Sequence, residues 1–142
     1  MSREEDIQKV VVEERRLARA IEAVYQEVAA LERSIFERRL ALATINEDLK
    51  NPLKDKSVLV PIGGQIYVPS RLSTTDRVLV NIGANIYVAK GREEAKGFLE
   101  ERLEALEKAH SERTKLLQDL RRRHNEILTL LLEYQARRER SG

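Results

Sequence analysis

Two histidines, His110 and His124, are the side chains here best suited to holding a metal or moving a proton. They stand fourteen residues apart. On a helix that spacing is about 21 Å, so one chain cannot bring both to one ion. They read instead as polar residues packed into a helix seam. There is no cysteine, hence no thiolate nucleophile, no thiolate metal ligand and no disulfide framework. The glycines at Gly63-Gly64 and Gly83 are not followed by the Gly-Lys-Ser/Thr ending that cradles phosphates, and no HExxH pair exists. Adjacent carboxylates (Glu4-Glu5, Glu13-Glu14, Glu93-Glu94) read as solvated helix faces, not acid–base dyads. Arg121-Arg122-Arg123 and Arg137-Arg138 are basic runs with acids close by, which reads as helix surface. The sequence therefore predicts a non-enzyme with no catalytic residues, no cofactor and no metal, whose work is binding.

The elements that would do the binding centre on a short repeat. Residues 58–68 read VLVPIGGQIYV and residues 78–88 read VLVNIGANIYV, with eight of eleven positions identical at a period of twenty. Each copy is a β-branched run, a glycine break and a second β-branched run, the pattern of a β-hairpin. A two-residue Gly63-Gly64 turn would leave both faces apolar. A three-residue loop, 63–65, puts Val58, Val60, Ile62, Ile66 and Val68 on one face and Leu59, Pro61, Tyr67 and Pro69 on the other, a cleaner split and the preferred reading. Asn85, last in the second loop, suits a left-handed backbone. The matching residues of the second copy are Val78, Val80, Ile82, Ile86 and Val88. Two hairpins are too little sheet to be stable alone, so these residues are expected to carry oligomerisation.

Residues 3–50 hold no Gly or Pro, and their apolar residues step by three and four from Ile7 through Leu17, Val24, Val28 and Ile35 to Leu49, interrupted at Glu14 and Arg38. That is a coiled-coil seam over about six heptads. Asn51 and Pro52 are expected to end it. A second helix is predicted over 92–138, with seam residues Leu99, Leu103, Leu106, Leu117, Leu120, Ile127, Leu131 and Tyr134 and polar seam residues His110, Arg113 and His124. The two helices flank the hairpins, assigned to 57–89, and can fold back as an antiparallel pair. One self-consistent register among several pairs Leu49 with Leu99, Ile45 with Leu103, Leu42 with Leu106 and Arg38 with His110. The fold class expected is α+β, mostly α, in a single domain over 1–142.

Composition agrees with a helical assembly. Aromatics are 4% and charged residues 35%, and the net charge is only +2. So balanced a charge argues against a general nucleic-acid binder. The opening MSREEDIQK has no apolar core of a secretory signal, and no run approaches the ~20 apolar residues of a membrane span. A cytoplasmic protein without membrane attachment is expected.

The order long helix, two hairpins, long helix, with VLVPIGGQIYV…VLVNIGANIYV followed at once by REEAKGFLEERLEAL (92–106), resembles the alpha-type subunit of archaeal prefoldin. The resemblance covers nearly the whole chain, and its specific part is the repeated hairpin. It implies an ATP-independent chaperone in which two alpha-type and four beta-type subunits join hairpins in a double β-barrel platform. Six antiparallel coiled coils would extend from it, hold unfolded protein at their tips and pass it to a group II chaperonin. The competing reading is a structural coiled-coil protein, or a filament of one subunit, without client transfer.

A coiled coil needs apolar residues only along its seam, yet Val10-Val11-Val12 is an unbroken run, and Leu128, Leu130 and Leu132 lie beside seam residues Ile127 and Leu131. Surplus apolar surface commonly marks a binding site. Val11, Val12, Leu128, Leu130 and Leu132 are therefore the candidate client-gripping residues. A broader helix core, or contact with a neighbouring subunit, is the alternative role for them.

Overall fold

The computed structural model describes residues 3–49 and 57–141. Helix α1 runs Arg3–Ala43 and passes into a π-helical turn, Thr44–Asp48. Strands β1 (Val58–Gly63), β2 (Ile66–Ser70), β3 (Arg77–Gly83) and β4 (Ile86–Gly91) follow, and helix α2 is Arg92–Ser141. The expected helix stop at Asn51-Pro52 lies outside the described residues. Both helices start with acids, Glu4, Glu5 and Asp6 in α1 and Glu93 and Glu94 in α2, which favour the positive end of the helix dipole. Arg138 and Arg140 sit favourably in the last turn of α2.

The chain divides into two compact units, Met1–Arg33 with Glu107–Gly142, and Ser34–Leu106. In the first, α1 and α2 pack through a core of Leu17, Val24, Val28, Leu117 and Leu120, flanked by Ala20, Ile21 and Ile127. All five core residues are seam positions read from the heptad pattern, so the 3–4 spacing did place the packed face. Polar residues also meet across the seam. His110 Nε2 lies 3.1 Å from Glu32 Oε1, Arg113 Nε 3.2 Å from Glu27 Oε2, and His124 Nε2 3.0 Å from Glu14 Oε1. The expected register is thereby corrected: His110 meets Glu32, not Arg38. In the second unit the Arg92 guanidinium donates to the Leu49 carbonyl at 2.6 Å, so Leu49 is close to Arg92 rather than level with Leu99. The true register differs by about one heptad, a slide to which a seven-residue apolar repeat is blind.

The second unit holds the two hairpins, each its own two-stranded antiparallel sheet. Val60 pairs with Val68 and Pro61 with Tyr67, the ladder the longer loop requires. The turn itself differs from both forms expected. Gly63 pairs with Ile66 across a bulge between Pro61 and Gly63, leaving Gly64 and Gln65 as the turn. The second copy repeats this at Gly83, Ala84 and Asn85. Three successive residues take positive φ in each turn: 103°, 58° and 62° at 63–65, and 122°, 50° and 59° at 83–85. Positive φ at both central residues is what a tight twisted hairpin turn demands, and glycine supplies it without steric cost. Asn85 takes the left-handed form expected of it. The repeat departs from itself at Pro61/Asn81 for a visible reason. The Asn81 carboxamide oxygen accepts from the Gly83 amide at 2.9 Å and ties down the second bulge, a bond Pro61 has no side chain to make.

At the end of α1 the ladder loosens. The Thr44 hydroxyl donates to the Leu40 carbonyl at 3.0 Å, and the Leu49 amide reaches back five residues to the Thr44 carbonyl at 3.0 Å. Arg92 then closes the region, its side chain on Leu49 and its amide donating to the Asp76 carbonyl at 3.2 Å. A carbonyl near a helix end has no intrahelical partner, and an arginine is a strong substitute.

Candidate binding surfaces

Among the described residues, all eight buried apolar residues (Leu17, Val24, Val28, Ile35, Ala95, Leu103, Leu117 and Leu120) belong to the helices. None belongs to a strand. The hairpins thus have no core of their own, and both of their faces meet solvent in the single chain: Leu79 is 71% exposed, Leu59 65%, and Val60 43%. Ile62, Ile66, Val68, Ile82, Ile86 and Val88 are exposed as well, as are Tyr67 and Tyr87. Val58, Val78 and Val80 are half-buried. Val78 and Val80 line a groove of ≈ 530 Å³ with Ile45, Leu49, Phe98 and Leu99, so the second hairpin leans partly on its own helices. Phe98 is in turn flanked by the Arg102 guanidinium, 4.9 Å from the ring centre, and by the Lys90 ammonium at 6.0 Å. Each hairpin is two strands wide, so its outer edges carry backbone groups with no ladder partner among the described residues.

The second surface lies in the other unit, where the start of α1 meets the end of α2. Val12 is 65% exposed, Leu132 66% and Leu128 38%; Leu130 is also exposed, and Val11 is half-buried. Leu130 and Val12 line different hollows. Leu130 lines a groove of ≈ 550 Å³ with Ile7, Val10 and Tyr134, between charged walls that include Asp6 and Arg137. Val12 lies apart, in a shallower hollow with Glu5, Gln8, Lys9 and Glu13. There the Arg16 side chain hydrogen-bonds the Glu13 carboxylate at 2.9 Å and lowers its pKa below the ordinary carboxylate value. Leu128 and Leu132 are one helical turn apart, hence on one face of α2. Ile7 and Tyr134 were legible as seam residues and Val10 as part of the run 10–12; the groove brings all three beside Leu130. Phe36 (exposed) and Leu40 were not singled out from the sequence, though both lie off the 3–4 seam, which is the signal that marks them.

Among the described residues no group of three or more His, Asp or Glu is placed to hold a metal. Each histidine instead faces one carboxylate. Arg122 and Arg123 both pair with Asp119, so this basic run is partly neutralised within its own helix. No helix among the described residues is long and apolar enough to cross a membrane.

An antiparallel pair of long helices joined through two hairpins whose apolar strand residues stay largely exposed in the single chain defines the class of protein. The prefoldin subunit family model matches residues 17–136, and the chain belongs to that family. It is 36% identical over 87 residues to the prefoldin subunit alpha of Methanoculleus marisnigri, covering 61% of this chain and 57% of that one. To the prefoldin subunit alpha of Methanosarcina acetivorans it is 30% identical over 118 residues, covering 82% and 78%. The chain thus spans less than two thirds of the Methanoculleus relative's length. Among solved structures, the filamentous PFD of Methanocaldococcus jannaschii, determined by cryo-electron microscopy, superposes with a TM-score of 0.68 at 26% identity, covering 86% of this chain and 98% of that one. The archaeal alpha-type resemblance and the mostly helical, hairpin-bearing fold expected from the sequence are both met by these findings.

Proposed function

We propose that this chain is a subunit of an ATP-independent chaperone that assembles through its hairpins and holds unfolded protein on the apolar surface formed by the start of α1 and the end of α2. The observation carrying the reading is the uncovered hairpin pair: strands with no buried residue and apolar side chains on both faces. Burying such surface is favourable at about 25 cal/mol per Å², and closing strands into a barrel removes their edges. The partners are beta-type prefoldin subunits, four to two of the alpha type, with unfolded proteins as clients and a group II chaperonin as recipient. The work is binding and release, so no cofactor is needed.

A filament of one subunit is the second reading, favoured by similarity to a chain solved as a filament. Light scattering with gel densitometry on the tagged chain, purified from its own source, separates the two. A discrete complex with about twice as many copies of a smaller coiled-coil chain is expected. The chain recovered alone, as an open polymer, would replace the first reading with the second.

A further inference from the structure

The apolar seam of this coiled coil does not choose its own register. In the alternative that pairs Leu49 with Leu99, Leu17 comes level with Leu131, Ile21 with Ile127, Val28 with Leu120 and Leu31 with Leu117. Those pairings are as apolar as the ones that form the core. The polar seam residues respond differently. In the structure each base on α2 meets an acid on α1: His124 with Glu14, Arg113 with Glu27 and His110 with Glu32. In the alternative, His124 would come level with Val24, Arg113 with Ile35, Glu14 with Tyr134 and His110 with Arg38. All three of the observed pairs are lost there, with only Glu27 coming level with another base, Arg121; apolar residues face His124, Arg113 and Glu14, and one arginine faces a histidine.

We infer that Glu14–His124, Glu27–Arg113 and Glu32–His110 form a register lock, which holds the two helices of one chain in a single axial alignment that their leucines and valines leave undecided. The lock works through the penalty on wrong alignments. Arg113 and Glu27 are each about half exposed, at 48% and 51%, and exposed ion pairs add little stability of their own. Polar groups set against apolar ones in a seam are costly, and a single polar seam position can specify alignment in coiled coils. The signs also matter. All three acids lie on α1 and all three of their partners on α2, so an aligned pairing of α1 with α1 of another copy would set carboxylate against carboxylate. The alignment in turn brings Ile7 and Val10 beside Leu130 and Tyr134, which makes the groove at that end of the helix pair. The inference does not depend on what the groove holds.

A slide of one heptad moves one helix along the other by about 10 Å. With no native cysteine, nitroxide labels on Ala18→Cys and Arg121→Cys, both at exposed positions, report alignment by pulsed dipolar spectroscopy. The assembled protein would be diluted with unlabelled chain so that distances within one copy are read. The unaltered seam gives one distance. Replacing the six lock residues by leucine is expected to add a second distance population while circular dichroism still reports full helix. One unchanged distance in that variant would overturn the inference. A second set guards against misfolding. Glu14→Arg, Glu27→Arg and Glu32→Arg together should lose the single distance. Adding His110→Glu, Arg113→Glu and His124→Glu should restore it. If the first three changes alone leave the distance intact, or the reciprocal changes fail to restore it, no lock exists.

Discussion

Val60→Asp is the sharpest perturbation of the hairpin surface. Val60 pairs with Val68 in β1–β2 and remains 43% exposed in the single chain. Full burial of a valine contributes about 1.5 kcal/mol, so covering the exposed part in an assembly contributes about 0.6 kcal/mol. Asp forfeits that and sets a carboxylate without a partner among apolar strands, an effective cost of several kcal/mol. The sum is about 3–4 kcal/mol per contact, a weakening of about 10²- to 10³-fold. The helices should be indifferent, because every buried apolar residue among those described lies on α1 or α2. Light scattering at micromolar protein should therefore show free subunits, while circular dichroism at 222 nm stays near that of the parent. An undiminished native mass would refute the placement of Val60 in an interface, and loss of helix with loss of mass would refute the independence of the two parts.

Three further outcomes follow from single features. Replacing Leu128, Leu130 and Leu132 by Ser should weaken suppression of client aggregation several-fold with the complex still intact by light scattering, and unchanged suppression would remove these leucines from the client surface. Ala84 holds φ at 50°, where the first copy has Gly64. An L-residue there costs about 1 kcal/mol, offset in part by the greater freedom glycine gains on unfolding, so Ala84→Gly should stabilise the hairpin by about 0.5 kcal/mol in hydrogen exchange of β3–β4 amides. The Thr114 hydroxyl is buried with no hydrogen-bond partner among the described residues. An unsatisfied buried polar group costs about 1–3 kcal/mol, so Thr114→Val, which keeps the shape, should raise stability to urea by about 1 kcal/mol.

Much of this fold is written in local periodicity. The seam steps alone mark Leu17, Val24, Val28, Leu117 and Leu120, because a helix repeats its face every three to four residues whatever surrounds it. The twenty-residue repeat named both hairpins and most of their ladder. What escaped was set by contacts between distant residues. Register is invisible to an apolar pattern that repeats every seven residues; among the polar seam residues, Glu14, Glu27 and Glu32 against His124, Arg113 and His110 distinguish the alignments, and the Arg92 bond to Leu49 agrees with them. The turn at Gly63 escaped because a bulge shifts the pairing by one residue without changing the composition of the strands. Arg92 reads locally as the first residue of a helix, yet its side chain holds a carbonyl forty-three residues earlier. At the candidate client surface the surplus leucines were legible, but the groove around Leu130 depends on which residues of α1 and α2 come level, whereas the hollow at Val12 is lined by α1 alone.

The most direct test of the account is aggregation of a chemically unfolded client, followed by light scattering without nucleotide, in the presence of the purified complex containing this chain. Stoichiometric complex is expected to suppress aggregation, and adding ATP to change nothing. A complex of intact native mass that leaves aggregation unaltered across several unrelated clients would contradict it, and would leave a structural assembly built from the same hairpins.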